Sequence, residues 1–232
     1  MKLSPILLSM KTASAATIIT FLLGLCLAQC VVRIKSERVK MVLDGILTLP
    51  LVLPPTVMGF FMLLIFGVNR PIGKFLLDFF SVKIVFSWHA TVLAAVIISL
   101  PLMYRSARGA FEQVDENLIM AARTLGMSEI KIFWKVMMPI ALPGIASGGV
   151  MAFARGLGEF GATAMIAGNI ENITRTLPLA IYTEVAAGNM ESAKNHVVVV
   201  MIISFIVIVL MNYFTFRGRK YLHKEKQNGT FS

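Results

Sequence analysis

An all-α protein that crosses a membrane several times is the fold class this sequence predicts, and three observations lead to it. Of 232 residues, 57% are hydrophobic and only 15% charged, too few polar side chains to cover a soluble domain. The apolar residues fall into runs of about 20, the helix length needed to cross a hydrocarbon core of about 30 Å. The basic residues, which give a formal charge of +10, cluster between those runs and form no continuous face, which argues against a nucleic-acid partner. One domain accounts for a chain of this length, so residues 1–232 are read as a single transmembrane unit.

Taken in order, the first run is 13–32. It follows Lys2 and Lys11 and could be mistaken for a secretory leader, but it ends in the basic cluster RIKSERVK (33–40). A small-residue cleavage site is missing there, so the run is read as a retained span. Cys26 and Cys30, the only cysteines, lie inside it and support neither a disulfide framework nor a metal site. The second run, 43–67, carries Pro50, Pro54 and Pro55; the third, 84–104, carries Pro101; the fourth, 139–161, carries Pro139 and Pro143. Prolines inside spans point to kinked helices whose neighbours re-satisfy the freed carbonyls. Small residues from Pro143 to Gly149 permit close helix approach in the fourth span. The fifth run is 196–216. Between them, 162–195 is too polar for a simple span, and its apolar part, 177–187, is too short to cross. A sixth short or re-entrant element and an ordered external loop are both open for that stretch.

Lysine and arginine set the orientation. The stretches 33–40, 105–138 and 217–232 hold 14 of them, and 1–12, 68–83 and 162–195 hold 7. With five spans this places the N-terminus outside, the C-terminus inside, and 105–138 in the cytoplasm.

Within that cytoplasmic stretch lies AARTLGMSEIKIFWKVMMP (121–139), a polar island in a greasy chain. Asp115 can cap a helix over 116–125, with Glu116 at its positive end. Gly126 offers a left-handed stop, and Ser128 can cap a second helix over 129–137. Ala121 and Ala122 keep one side of the first helix small, while Leu118, Ile119 and Leu125 supply apolar area. Ile130, Phe133, Trp134 and Met137 recur at helical spacing on the second. A pair this apolar must dock on the protein's own helices or on a partner. Residue chemistry alone leaves both open.

The spacing of Ala121–Ala122, Gly126 and Val136–Met137–Met138–Pro139 resembles the EAA loop of bacterial ABC-importer permeases. In that family the loop forms the helix that docks on the cytoplasmic ATPase. The resemblance implies ATPase-coupling positions at Met120, Ala121, Ala122, Arg123, Gly126 and Pro139, although Met120 stands where the family has Glu. Further stretches are similar to molybdate ABC-transporter permeases: LTLPLVLPPTVMGF (47–60), FSWHATVLAAVIISLPLMYRSAR (86–108), FARGLGEFGATAMIAGNI (153–170) and TRTLPLAIYT (174–183). Sulfate/thiosulfate permeases share the Gly-Glu-Phe-Gly portion and, with tungstate importers, are the nearest alternative. The resemblance implies an importer-permease fold of the MetI-like type in the bacterial plasma (inner) membrane. It also implies a homodimer with a second permease chain, two cytoplasmic ABC ATPase subunits and an extracytoplasmic molybdate-binding protein.

Arg155 and Glu159 lie four residues apart in the fourth run, on one helix face, roughly 24 to 30 Å beyond Pro139 at about 1.5 Å per residue. Ionisable groups at such depth face a cavity or a partner. Two readings stand: they shape the outer part of an anion path, or they form a local ion pair that fixes helix geometry. Thr163, Asn169, Thr174 and Thr176 are candidate weak neutral donors for a passing oxyanion, and they suit an external loop equally well. Trp88 and His89 suit the outer interface. The sequence holds no phosphate-binding loop, no H-E-x-x-H and no G-x-S-x-G. No cofactor is therefore expected on this chain; ATP would be bound by the partner subunit. An autonomous anion channel or secondary transporter is the alternative from another class.

Overall fold

The computed structural model describes residues 3–228, with side chains described from 3 to 213, and every regular element among them is helical. Eleven helices follow in order: α1 (Ser4–Val32), α2 (Glu37–Val52), α3 (Pro55–Phe66), α4 (Pro71–Phe80), α5 (Trp88–Glu112), α6 (Glu116–Thr124), α7 (Glu129–Ile132), α8 (Met138–Leu157), α9 (Gly161–Ala167), α10 (Leu177–Ala186) and α11 (Met190–Asn228). A π-helical stretch, Phe133–Met137, joins α7 to α8 without a break. Four segments are long and apolar enough to cross a membrane: Ser4–Val32, Trp88–Glu112, Glu129–Leu157 and Met190–Tyr213. The bent pair α2–α3 makes a fifth if counted as one span.

The limits of these helices correct several sequence expectations. The second run is two helices bent by 110° at Leu53–Pro54, not one kinked span. A proline drives the residue before it out of the α region, and here Pro54 and Pro55 act in succession. Leu53 (ψ 141°) and Pro54 (ψ 134°) are both extended as a result. Pro50, alone, stays inside α2. The third span runs to Glu112, so residues 105–112 belong to it and not to the cytoplasmic loop. The fourth ends at Leu157, earlier than expected, and begins at Glu129, so the second loop helix is the start of this span. Pro139 is accommodated by the π stretch, where the Met138 N–H reaches back to the Phe133 carbonyl. The stretch 162–195 is neither one span nor a bare loop: α9 and the first turn of α10 are buried in the helical body, and residues 190–195 open α11, so the last span starts at Met190 and not at 196.

α5 is the innermost helix, with 67% of its most apolar 18-residue window buried against 11% for α11. Against α1 it carries paired hydroxyls, Thr12–Thr91 and Thr20–Ser99, each at 3.2 Å. The Trp88 indole N–H adds a bond to Thr12 (3.1 Å) beneath the Lys11 ammonium, which lies 4.3 Å from the ring centroid. In a membrane each such polar contact contributes only about 0.6 kcal/mol, so close packing must supply the rest.

Against α8 that packing is a seam of small residues at four-residue spacing: Gly144, Gly148, Ala152 and Gly156. A Cβ on Gly144 would lie 2.9 Å from Ala110 Cβ, and one on Gly148 only 2.5 Å from Ser106 Cβ. Gly156 has ordinary room, 3.7 Å from Ala95 Cβ, and Ala152 is buried. Gly148→Val is therefore expected to lose about 1–3 kcal/mol through overpacking, and to lower the unfolding midpoint in detergent, read by circular dichroism. Gly45→Ala, with nothing within 4 Å of the added methyl, is expected to be neutral or to gain about 0.5–1 kcal/mol. Equal midpoints for the two variants would contradict the close approach of α5 and α8.

Candidate functional site

Two regions hold the residues singled out in the sequence. The first is the α6–α7 helix pair. Asp115 Oδ1 accepts the Asn117 N–H at 2.9 Å and so caps α6 as expected. At the other end Gly126 takes φ +74°, and its N–H donates to the Arg123 carbonyl at 2.9 Å. The Met127 N–H reaches the Ala122 carbonyl at 3.1 Å, closing a six-residue left-handed terminus that suits glycine. Ser128 stands at the start of α7, but its hydroxyl caps nothing, contrary to expectation. The pair is braced across the turn instead by Arg123, whose Nε donates to Glu129 Oε1 (2.7 Å) and whose Nη2 donates to Oε2 (3.3 Å). The Glu129 carboxylate raises the Arg123 pKa above its ordinary value, so the brace does not titrate near neutral pH.

The inward side of the pair docks on the protein itself. Ala122 and Ile132 are buried, and Ile119, Phe133 and Met137 pack on a core that includes Ala107, Phe111, Val114 and Ala141. The Phe111 and Phe133 rings meet with centroids 5.7 Å apart. The outward side keeps its apolar area in the open: Leu125 is 81% exposed, Ile130 73%, Trp134 61% and Met120 54%. Ala121 and Pro139 are also exposed. Met120 thus extends an apolar surface and brings no charge to it.

Close beside this pair is a cluster that sequence reasoning missed. Arg108 Nη1 lies 2.5 Å from Asp44 Oδ1, and Arg108 Nε donates to Glu112 Oε1 at 2.8 Å. The Tyr104 hydroxyl donates to Asp44 at 2.7 Å, and Lys40 reaches Glu112 at 3.3 Å. The network ties α2 to the C-terminal end of α5. Its signal was available: Tyr104, Arg108 and Glu112 repeat at four-residue spacing, and Asp44 is the lone acid in an apolar run.

At the opposite end of α8 lies the second region. Arg155 Nη1 pairs with Glu159 Oε2 at 2.9 Å, but not along one helix face, because α8 has ended at Leu157. Glu159, only 2% exposed, turns back and accepts the Ala162 N–H at 2.8 Å, so its carboxylate caps α9. Thr163 lies buried one residue further on. Thr176, buried at the start of α10, has a hydroxyl without a partner. Asn169 and Thr174 are engaged locally: Asn169 accepts from Arg175 (2.8 Å) and donates to Thr183 (2.7 Å), and the Thr174 hydroxyl accepts the Ile170 N–H (2.9 Å). The Ser9 hydroxyl accepts the Leu177 N–H at 2.7 Å, fixing α10 to α1. Among the described residues no three His, Cys, Asp or Glu side chains converge on a metal position. Cys26 and Cys30 are exposed free thiols on α1.

Comparison with known proteins agrees with this arrangement. Residues 15–225 match the family described as binding-protein-dependent transport system inner membrane component. The chain is 42% identical over 207 residues to the molybdenum transport system permease protein ModB of Escherichia coli strain K12, covering 89% of this chain and 90% of that one. It is 36% identical over 223 residues to ModB of Haemophilus influenzae, covering 96% and 97%. Among solved structures, a chain of the inward-facing MetNI methionine ABC transporter superposes with a TM-score of 0.72 at 16% identity, over 92% of this chain and 94% of that one. The all-helical fold is therefore that of an ABC importer permease, and the chain belongs to the family of binding-protein-dependent transport system inner membrane components.

Proposed function

We propose that this chain is the membrane-spanning subunit of an ATP-driven molybdate importer. The observation that carries the proposal is the apolar outer face of the α6–α7 pair, built on the Gly126 turn and held away from the protein's own core. An exposed group of Leu125, Ile130, Trp134 and Met120 has the composition of a docking surface. Without a phosphate-binding loop of its own, the chain draws its energy from a partner, and this face is where a cytoplasmic ATPase would deliver it. The molybdenum-transport names of the E. coli and H. influenzae relatives support molybdate as the cargo, ahead of sulfate or tungstate.

In this reading two copies of the chain form a path between them, two ATPase subunits sit below, and an external binding protein delivers the anion above. Closure of the ATPases moves the two docking faces together and biases the bundle outward-open; hydrolysis restores the inward-open state. α7, the π stretch and α8 form one continuous helix, so displacement at Ile130 is carried along α8 to the turn bearing Glu159. Arg155, Glu159, Thr163 and Thr176 are the candidate groups of the outer path. Arg155 and the Ala162 N–H offset the Glu159 charge, which otherwise repels an oxyanion. An autonomous channel or secondary transporter has no use for an exposed apolar face of this kind.

Gly126→Pro removes the N–H bonded to Arg123 and forces φ to about −65°, against the +74° of the turn. It is expected to leave membrane insertion intact and to abolish ATP-dependent uptake in proteoliposomes of the full complex; normal uptake would sink the docking assignment. Molybdate is expected to stimulate ATP hydrolysis by the complex only when its binding protein is present, with sulfate far weaker. Equal stimulation by sulfate would transfer the proposal to the sulfate/thiosulfate class.

A further inference from the structure

We propose that α4 is an interfacial helix, lying in the outer surface of the bilayer with its aromatic face among the acyl chains and its basic residues against anionic headgroups. The inference rests on the reading of the chain as membrane-spanning. Ten residues span only about 15 Å, half of what a crossing needs, so α4 cannot be a span. Seven residues, 81–87, separate it from the start of α5, at the end of that helix opposite the cytoplasmic pair.

At roughly 100° per residue the side chains of α4 divide into three faces. Gly73 turns toward the protein and approaches the carbonyls of Phe66 and Gly67 at the end of α3; no residue with a Cβ fits there. Lys74 and Asp78 occupy a second face and are exposed. Ile72, Phe75 and Phe79 occupy the third, and Phe80, the last residue of the helix, is exposed as well; each is about half to three-quarters exposed. The three phenylalanines cluster with one another, Phe75 to Phe79 at 4.7 Å and Phe75 to Phe80 at 6.1 Å between centroids.

Such a face does not rest in water, and two features assign lipid as its occupant. The preceding helix, α3, is also open on apolar residues: Phe60, Phe61, Leu64 and Ile65 are exposed. Charge complementarity agrees: Arg70, Lys74 and Lys83, all exposed, outnumber the single Asp78 and suit an anionic lipid surface. A strong apolar face and a polar face with basic residues are the properties of helices that lie about 5–10 Å into the headgroup boundary, roughly one helix radius deep.

The test is spin-label accessibility in the full chain with Cys26→Ala and Cys30→Ala, reconstituted in phosphatidylcholine vesicles with or without phosphatidylglycerol. Labels go singly at Lys74→Cys, Phe75→Cys, Asp78→Cys and Phe79→Cys, with Phe205→Cys on α11 as the control for a lipid-facing span. The expected result is collision with oxygen and several-fold protection from a water-soluble nickel chelate at 75 and 79, the reverse at 74 and 78, and deeper labels when phosphatidylglycerol is present. Nickel access at 75 and 79 with a lipid-buried label at 205 would overturn the interfacial assignment while leaving the membrane reading intact. Water access at 205 as well would overturn both. Protection at 75 and 79 that appears only on adding the external binding protein would also overturn it, because the occupant would then be protein.

Discussion

The seam of small residues between α5 and α8 is the constraint on which the rest of the structure depends. Lipid tails are as apolar as leucine, so helices inside a bilayer gain little from hiding apolar side chains and must gain from contact. Gly144 against Ala110 and Gly148 against Ser106 bring the two backbones closer than any larger side chain permits. That approach fixes α8 against the most buried helix of the protein. Because α8 continues without interruption from Glu129, the same contact fixes the second helix of the α6–α7 pair. A rod of 29 residues, roughly 44 Å long, therefore joins the exposed face at Ile130 to the turn at Glu159. The π stretch relieves the one place where Pro139 would have broken it.

Charge is handled differently at the two ends of that rod. Near the α6–α7 pair Asp44, Arg108, Glu112 and Lys40 form a network in which each charge has an opposite neighbour and Tyr104 adds a neutral donor. It clamps α2, which buries no residue of its own, to the end of α5. At the other end of α8 a single carboxylate, Glu159, is shared between a guanidinium and a backbone N–H. A buried carboxylate left without its partner costs about 3–5 kcal/mol, so Arg155 and the α9 terminus hold one another in place. The ion-pair reading of these two residues and a role in an anion path are compatible, since a neutralised carboxylate no longer repels the cargo.

Much of this was legible in the sequence because the signals are local. The spans come from hydropathy, the α6 start from Asp115, and the turn from Gly126, each needing only neighbouring residues. What was not legible depends on contacts between distant segments. The break at Leu53 is an exception: its signal, Pro54–Pro55 in succession, is local, and it was read as a kink like the isolated Pro50. Ser128 had the right residue type for a cap, but Arg123 and Glu129 brace the turn, leaving its hydroxyl unused. Glu159 looked like a helix-face residue, but α8 ends two positions earlier, at Leu157, and its carboxylate also serves the next helix. The docking of α9 and α10 into the body depends on Gly59, where a Cβ would lie 2.7 Å from Met165 Cβ, and on Ser9, which lies 168 residues from its partner Leu177.

The central claim is that the outward face of the α6–α7 pair receives a cytoplasmic ATPase. Its most direct test is a photo-crosslinking amino acid placed at Leu125 and, separately, at Trp134, in the assembled and transport-active complex. Both side chains point away from the protein's own core, so neither replacement disturbs the packing beneath. The account predicts an adduct with the ATPase subunit at both positions, with a yield that changes when ATP is added. Adducts only with lipid or with this chain itself, in a complex that still transports, would contradict it.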